Sequence, residues 1–349
     1  MFQFLSLIIL MLVSCSHLKT KTQVENKNSD FFILKVSGAN KLARQIDTPV
    51  ATCADKISKA ICVSDATDDE IFEDLYGIKS LSCDSNGKDF LKDLLQINYQ
   101  LPKELQPYFC SLSKIYISDS IPSVAFATGI VNDSNDFIGT AMGIKKSALL
   151  NSPKLDTLVT WKEQLNFGGS SKFLSIDKKL PQLHYGWDLT GFQYVLTHEM
   201  GHIVDFTNKI NPICYFSNKQ EGCDSSQYSW YKFSWSSDMK LLPESKFLHQ
   251  ENLCYYDCNV SYNAKIAEEV FTSMRESSFI TPYSGMNVFE DFAEFLTWYF
   301  LLKDKTPDYK IFIPENTTIS MKPIFSNLKI REKLNFIGKH LDSKGVWAK

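Results

Sequence analysis

The hydrophobic pattern of the first third of the chain has the period of an α-helix. Phe90, Leu91, Leu94 and Leu95, for example, recur at intervals that place them on one side of a helix. Similar short amphipathic patterns surround them. We therefore predict a mostly helical N-terminal region over residues 31–110.

The pattern then changes to short apolar runs that are separated by Asp, Asn, Ser and Gly. Runs of Ile, Val, Phe and Ala with such boundaries are typical of β-strands. They occupy Ser113–Ile117, Ser123–Val131 and Gly139–Ile144. We expect these strands to form a small, twisted, mostly antiparallel sheet.

Helical spacing returns after Thr190, which is a suitable N-cap residue. An apolar stripe along this helix would pack it onto the sheet. Two more helices are predicted at Asn263–Glu276 and Asn287–Leu302. The predicted fold is α+β over residues 111–349, with the sheet packed on the helix after Thr190 and a helical C-terminal subdomain.

Residues 207–261 interrupt this organisation. They lack a regular period and contain four cysteines together with a dense aromatic run from Tyr228 to Trp235. We interpret them as a disulfide-bridged insertion near the cleft. The aromatic run could stack on sugars or prolines of a ligand, or it could pack the insertion.

An export signal is expected at the N-terminus. Met1–Ser14 is apolar but too short to span a bilayer, which is typical of a signal peptide. The segment LVSC resembles a bacterial lipobox, in which Cys15 would be lipidated, and residues 15–30 suit a flexible tether. We expect an exported protein that is lipid-anchored to the outer membrane, on its periplasmic or surface side. Ordinary secretion is the alternative.

Nine cysteines leave an even number once Cys15 is set aside. The remaining eight can all pair, which favours disulfides in an oxidising compartment over a thiolate metal site. Short loops make bridges between Cys53 and Cys62 and between Cys83 and Cys110 plausible. The four cysteines of the insertion are expected to pair among themselves.

Composition indicates a globular chain without affinity for polyanions. The 349 residues are 44% hydrophobic and 13% aromatic, enough for one large core or two smaller ones. A net charge of -3 gives no basic field, so nucleic acid is not an expected partner. We expect a monomer.

The most specific signal is His198-Glu199-Met200-Gly201-His202, on the helix that follows the sheet. Histidines four residues apart share one helix face, where two neutral imidazoles can bind one zinc ion. The glutamate beside them can take a proton from metal-activated water, as in metallopeptidases. A satisfied pair of histidines on a core-facing helix is the competing interpretation.

A catalytic zinc needs a third protein ligand and one open position. Glu290 and Glu294 share a face of the helix predicted at 287–302, with aromatic residues on both sides. One carboxylate can bind the metal while the other orients a ligand histidine. A solvated acidic helix is the alternative, and Asp205, three residues beyond His202, could itself be a ligand.

These segments resemble a family of gluzincin metallopeptidases that includes the catalytic domain of anthrax lethal factor and the clostridial Pro-Pro endopeptidases. The resemblance rests on the five motif residues with Asp205 in the segment GHIVD, on Glu290 to Glu294, and on Tyr283, seven residues before Glu290. It covers the back half of the chain, from about residue 115, and the cysteine-bearing insertion departs from the family's pattern.

The resemblance implies a zincin-like domain that holds one Zn2+ ion through His198, His202 and Glu290. It also implies that the strand at 139–143 lies on the edge of the sheet, where it could bind an extended peptide through main-chain hydrogen bonds or be an ordinary sheet edge. It implies that Glu294 does not bind the metal itself but orients a ligand through a hydrogen bond. Asp205 is expected to act in the same way, with direct binding of the metal as its alternative.

It also implies the chemistry. Glu199 would be the general base and Tyr283 would stabilise the oxyanion, so the expected activity is zinc-dependent cleavage of a peptide or protein substrate. Two other functions stay open: a lipid-anchored binding or scaffold protein with a non-catalytic zinc site, and a zinc-dependent hydrolase of peptidoglycan peptides.

Overall fold

The computed structural model describes residues 33–35, 52–75, 80–84, 87–121, 123–131, 137–211, 229–236, 240–255, 264–304, 307–314 and 317–342. These residues form ten α-helices and eight β-strands, so the structure is a mixed α and β one. They divide into two compact units. The first holds the described residues of Met1–Asn151 and His202–Asp224, and the second those of Ser152–Gly201 and Ser225–Val346.

The first unit combines short helices with one sheet. Its helices are α1 (Cys53–Ala60), α2 (Asp68–Leu75), α3 (Gly87–Gln100), α4 (Gln106–Cys110) and α5 (Lys146–Leu150). Its strands are β1 (Ile33–Lys35), β2 (Ile61–Val63), β3 (Lys114–Ser118), β4 (Ala125–Val131) and β5 (Phe137–Lys145). The amphipathic pattern around Leu94 therefore lies in α3, and the three predicted strands are confirmed as β3, β4 and β5.

The sheet has the strand order β1-β4-β5-β3-β2. The prediction of a mostly antiparallel sheet is wrong for this sheet, because only β4 and β5 pair antiparallel and the other three pairs are parallel. A short connection joins β4 to β5, as in a hairpin. By contrast, α2, α3 and α4 lie between β2 and β3, which is the long connection that parallel strands require.

The expected edge strand at 139–143 is also wrong. That segment belongs to β5, which lies between β4 and β3 in the middle of the sheet. Ala141, Met142 and Ile144 are completely buried there. Apolar runs of similar length show which segments are strands, but they do not show the order of those strands, because the order depends on contacts far apart in sequence.

Two disulfides lie within the first unit. They join Cys53 to Cys110 and Cys62 to Cys83, so both predicted pairings in this region are wrong. Helix α1 begins at Cys53 and ends just before β2, and its eight residues separate Cys53 from Cys62 by about 12 Å. A disulfide cannot span that distance. Spacing along the chain was therefore misleading, because the intervening residues form a rigid helix.

The second unit contains four further helices and a small sheet. Its elements are α6 (Leu155–Gln164), β6 (Gln182–His184), α8 (Ala264–Met274), α9 (Val288–Asp304), β7 (Lys310–Ile313), β8 (Thr317–Ser320) and α10 (Leu328–Asp342). The three strands pair antiparallel in the order β6-β7-β8. The last helix, α7 (Gly191–Asn208), begins in this unit, and its residues from His202 onward belong to the first.

Helices α7, α8 and α9 confirm the three helices that the sequence predicts around the motif. None of the helices in the described part of the chain is both long and apolar enough to cross a membrane.

The segment between α7 and α8 is only partly described. Cys254 is disulfide-bonded, while Cys214, Cys223 and Cys258 lie outside the described residues, so the pairing predicted among these four stays a prediction. Within the aromatic run, Trp230 and Trp235 are buried, and Trp230 packs edge-on against Phe292 and Phe295 of α9. These two tryptophans therefore pack the core. Tyr228 lies outside the described residues.

Candidate metal centre

Helix α7 begins at a well-formed cap. The Thr190 hydroxyl oxygen accepts a hydrogen bond from the Gln193 backbone N–H at 3.2 Å, and the Gln193 side chain accepts one from the Thr190 N–H at 3.1 Å. This reciprocal pair is a capping box, and it confirms Thr190 as the N-cap. The helix continues without a break through the motif, so His198 and His202 lie one turn apart on the same face.

Helix α9 begins in a similar way. The Asn287 side-chain oxygen accepts hydrogen bonds from the backbone N–H groups of Phe289 at 2.9 Å and Glu290 at 3.0 Å. Glu290 is therefore held in the first turn, and Glu294 follows one turn later. Both carboxylates are buried, so the alternative of a solvated acidic helix does not describe these two residues.

The structure brings together three of the predicted ligands. His198, His202 and Glu290 are buried, each offers one ligand atom, and these atoms lie within 4.8 Å of one another. This group could hold a metal ion. Its donors are two imidazole nitrogens and one carboxylate oxygen, which fits a zinc ion that keeps a fourth position open.

His198 lies between two carboxylates. Its Nε2 atom is 2.8 Å from Glu290 Oε2, and its Nδ1 atom is 2.9 Å from Glu294 Oε1. The other oxygen of Glu294 accepts hydrogen bonds from the hydroxyl groups of Tyr194 and Thr281, each at 2.8 Å. Glu294 thus has fixed partners on both oxygens, and it fixes the orientation of the His198 ring.

The contacts between His198 and the two glutamates also shift the pKa values of these groups. Burial lowers the pKa of His198, but the hydrogen bonds and negative charges of Glu290 and Glu294 outweigh it and raise that pKa to about 10. Burial raises the pKa of Glu294, but the hydrogen bond and charge of His198, together with the Lys162 charge and the Thr281 hydrogen bond, outweigh it and lower that pKa. A metal that binds at Nε2 must therefore displace a proton, as metal binding to histidine generally requires.

Tyr283 reaches the same group from a turn that precedes α9. A short 3₁₀ turn covers Tyr283–Gly285, and the Thr281 and Ser284 side chains hold it through hydrogen bonds with each other's backbone. The Tyr283 hydroxyl donates to Glu290 Oε1 at 2.8 Å. The sequence spacing that singled out this tyrosine thus corresponds to direct contact with a candidate ligand.

Two further residues of the predicted site lie on α7. Glu199 is buried and follows His198 directly. Asp205 is buried as well, but its two carboxylate oxygens accept hydrogen bonds from the backbone and side-chain N–H groups of Asn211, at 2.8 and 2.7 Å. Burial raises the pKa of Asp205 to about 7 despite these hydrogen bonds. In this structure its carboxylate closes the turn after the helix.

Sequence reasoning missed a second layer of residues around the site. Glu163 of α6 is buried, accepts a hydrogen bond from the Tyr255 hydroxyl at 2.8 Å, and has a pKa that burial raises to about 8. The Tyr255 ring packs edge-on against Tyr283, with 4.8 Å between ring centroids. Lys162, beside Glu163, contacts the face of Tyr283. No short motif marks these residues, because they converge from separate parts of the second unit.

Comparison with known proteins found no matching family model, no matching curated protein and no matching solved structure.

Proposed function

We propose that the protein is a zinc-dependent endopeptidase. The buried group of His198, His202 and Glu290, with Glu199 next to the first ligand, is the observation that carries this proposal. Two imidazoles and one carboxylate are a ligand set of hydrolytic zinc enzymes. A zinc ion held there supplies a Lewis acid that polarises a peptide carbonyl and brings the pKa of water close to neutrality.

Glu199 is the general base in this proposal. Its position beside His198 and its burial favour proton transfer in a site from which bulk water is largely excluded. It takes the proton of the attacking water and returns it to the leaving amine.

Tyr283 supplies a hydrogen bond to the oxyanion that develops on the scissile carbonyl. Its hydroxyl already lies beside Glu290, so a small movement of that hydroxyl redirects it toward the substrate. Glu294 Oε1 lies 2.9 Å from His198 Nδ1 and orients that ring with Nε2 beside Glu290, where the two would hold the metal.

Metal analysis combined with a Glu199→Gln variant tests the proposal. The zinc-loaded parent should contain one zinc per chain and cleave members of a broad peptide library, and a chelator should abolish cleavage. Glu199→Gln should keep the zinc and lose turnover by about a hundredfold or more, since it removes the general base. Glu268→Gln, an exposed glutamate on α8, is the matched control and should behave like the parent.

The outcomes separate the three candidate functions. Stoichiometric zinc without cleavage of any peptide would favour the binding or scaffold protein. Cleavage restricted to peptidoglycan cross-link peptides would favour the cell-wall hydrolase. A Glu199→Gln variant with full activity would remove Glu199 from its role.

We also propose that the protein is exported and anchored through a lipid on Cys15. The two disulfides of the first unit support an oxidising compartment. Cys15 itself lies outside the described residues. Metabolic labelling with a fatty acid should mark the parent but not a Cys15→Ser variant, and labelling of both would rule out this anchor.

A further inference from the structure

Lys162 lies directly over the ring of Tyr283. Its ammonium nitrogen is 2.9 Å from the centroid of that ring and 6.0 Å from the centroid of Tyr255. The lysine is on α6 and is half-buried. A cation in this position is attracted by the negative face of the aromatic ring.

The surroundings of Tyr283 leave its ring little freedom. Tyr255 packs edge-on against it, the His198 ring centroid is 5.7 Å away, and the hydroxyl is bonded to Glu290. Lys162 covers one face of the ring. Among the described residues, no carboxylate lies within ion-pair distance of the Lys162 ammonium, which instead contacts the face of the Tyr283 ring.

We propose that Lys162 is a positioning residue for Tyr283. It holds the phenol ring in place and, through its positive charge on the ring face, makes the hydroxyl a stronger hydrogen-bond donor to the oxyanion. This role rests on the proposed peptidase function and adds to it a residue that the motif does not contain. It acts in the transition state, where the hydroxyl faces developing negative charge.

A competing role for the same lysine is general charge compensation. Its charge also interacts with the buried carboxylates of Glu163 and Glu294. Those interactions do not pass through the Tyr283 hydroxyl, and this difference allows a double-mutant cycle to separate the two roles.

The experiment measures kcat and KM of the zinc-loaded full chain, on a peptide from the library, for five variants. These are Lys162→Met, Lys162→Arg, Tyr283→Phe, the double variant of Lys162→Met with Tyr283→Phe, and Lys172→Met. Lys162→Met keeps the aliphatic stem without the charge and should lower kcat by about threefold to thirtyfold with KM little changed. Lys162→Arg should recover most of the loss, and the exposed Lys172→Met should match the parent.

In the Tyr283→Phe background, Lys162→Met should have almost no further effect, because the hydroxyl is already gone. Equal losses in both backgrounds, or no loss in the parent background, would overturn the positioning role while leaving the peptidase proposal intact. A parent that cleaves nothing would overturn both proposals.

An NMR measurement gives a readout that does not depend on activity. The ring current of Tyr283 should move the Lys162 ε-methylene protons upfield, and a Tyr283→Leu variant should remove that shift. A Lys162 signal at its ordinary position would contradict the contact, whether or not the protein cleaves peptides.

Discussion

Gly201 and Ala293 meet where the two helices of the site cross. A Cβ atom on Gly201 would lie 2.7 Å from the Cα atom of Ala293, closer than such atoms approach in proteins. The glycine therefore lets α7 and α9 pack backbone against backbone. His198 on one helix and Glu290 on the other come within hydrogen-bond distance as a result of this approach.

Replacing Gly201 by alanine should separate the helices and weaken the site. Overpacking lowers the free energy of unfolding by about 1–3 kcal/mol. The better helix propensity of alanine offsets up to about 1 kcal/mol of this loss. We expect a lower midpoint of thermal unfolding and weaker zinc binding, measured by calorimetry and by competition with a chelator. Gly338→Ala on α10 is the control, since the atoms nearest to its Cβ would be side-chain atoms of Tyr299, at 3.2 Å, and not the backbone of another helix. A Gly201→Ala variant that binds zinc like the parent would show that the close crossing is not required.

Glu294→Gln should weaken zinc binding without unfolding the protein. The glutamine can still accept hydrogen bonds from Tyr194 and Thr281, but it loses the negative charge beside His198 Nδ1. Loss of such a supporting contact typically lowers metal affinity about 10–100-fold. Glu269→Gln is a matched control, because Glu269 also pairs with a histidine, His249, at 2.9 Å, and neither residue is a candidate ligand. Equal affinity in both variants would argue against support by Glu294.

The sequence predicts the grouping of His198, His202 and Glu290, whereas its predictions of sheet order and disulfide pairing are wrong. The motif and the two glutamates were found because a helix brings residues four apart onto one face, which is a local property. The parallel pairing of β3 with β5 and the bridge from Cys53 to Cys110 depend on contacts between distant segments, and no local pattern encodes them. Lys162 illustrates the same limit within the site, since only the folded chain places it on Tyr283.

Glu163→Gln should change how stability depends on pH. Burial raises the pKa of Glu163 from an ordinary 4.5 to about 8, so the folded protein keeps a proton that the unfolded chain releases above about pH 4.5. The folded state then binds more protons than the unfolded state between these pH values. The free energy of unfolding should therefore fall as pH rises through this window, and the glutamine variant should lose that part of the fall.

Urea unfolding of the chelator-treated protein at several values between pH 5 and pH 8 measures this difference. Asp205, with a pKa of about 7, also makes the free energy of unfolding fall as pH rises. This contribution is the same in the parent and in Glu163→Gln. Glu244→Gln, an exposed glutamate, should keep the parental slope. A Glu163→Gln variant with the parental slope would mean that Glu163 is ionised in the folded protein.

An ion pair without solvent contact is formed by Asp291 of α9 and Lys333 of α10. The Lys333 ammonium donates to both carboxylate oxygens of Asp291 at 2.7 Å and to the Ser278 carbonyl at 2.9 Å, and both charged side chains are completely buried. The Trp235 indole N–H donates to the same carboxylate at 3.0 Å. Asp291 follows the candidate ligand Glu290 in sequence, so this pair fixes the first turn of the helix that carries it.

Removing one partner should be more harmful than removing both. Lys333→Met leaves the Asp291 carboxylate buried without its counter-ion and should lower the free energy of unfolding by about 3–5 kcal/mol. The double variant of Lys333→Met with Asp291→Leu removes that uncompensated charge, so it should be more stable than the single variant, although the Trp235 N–H loses its acceptor. Lys310→Met, which breaks an exposed pair with Asp308, should change the free energy of unfolding far less than Lys333→Met. Urea unfolding of the parent and the three variants measures these free energies. If the double variant is no more stable than Lys333→Met alone, the lost stability arises from packing around the lysine stem and not from the unpaired charge.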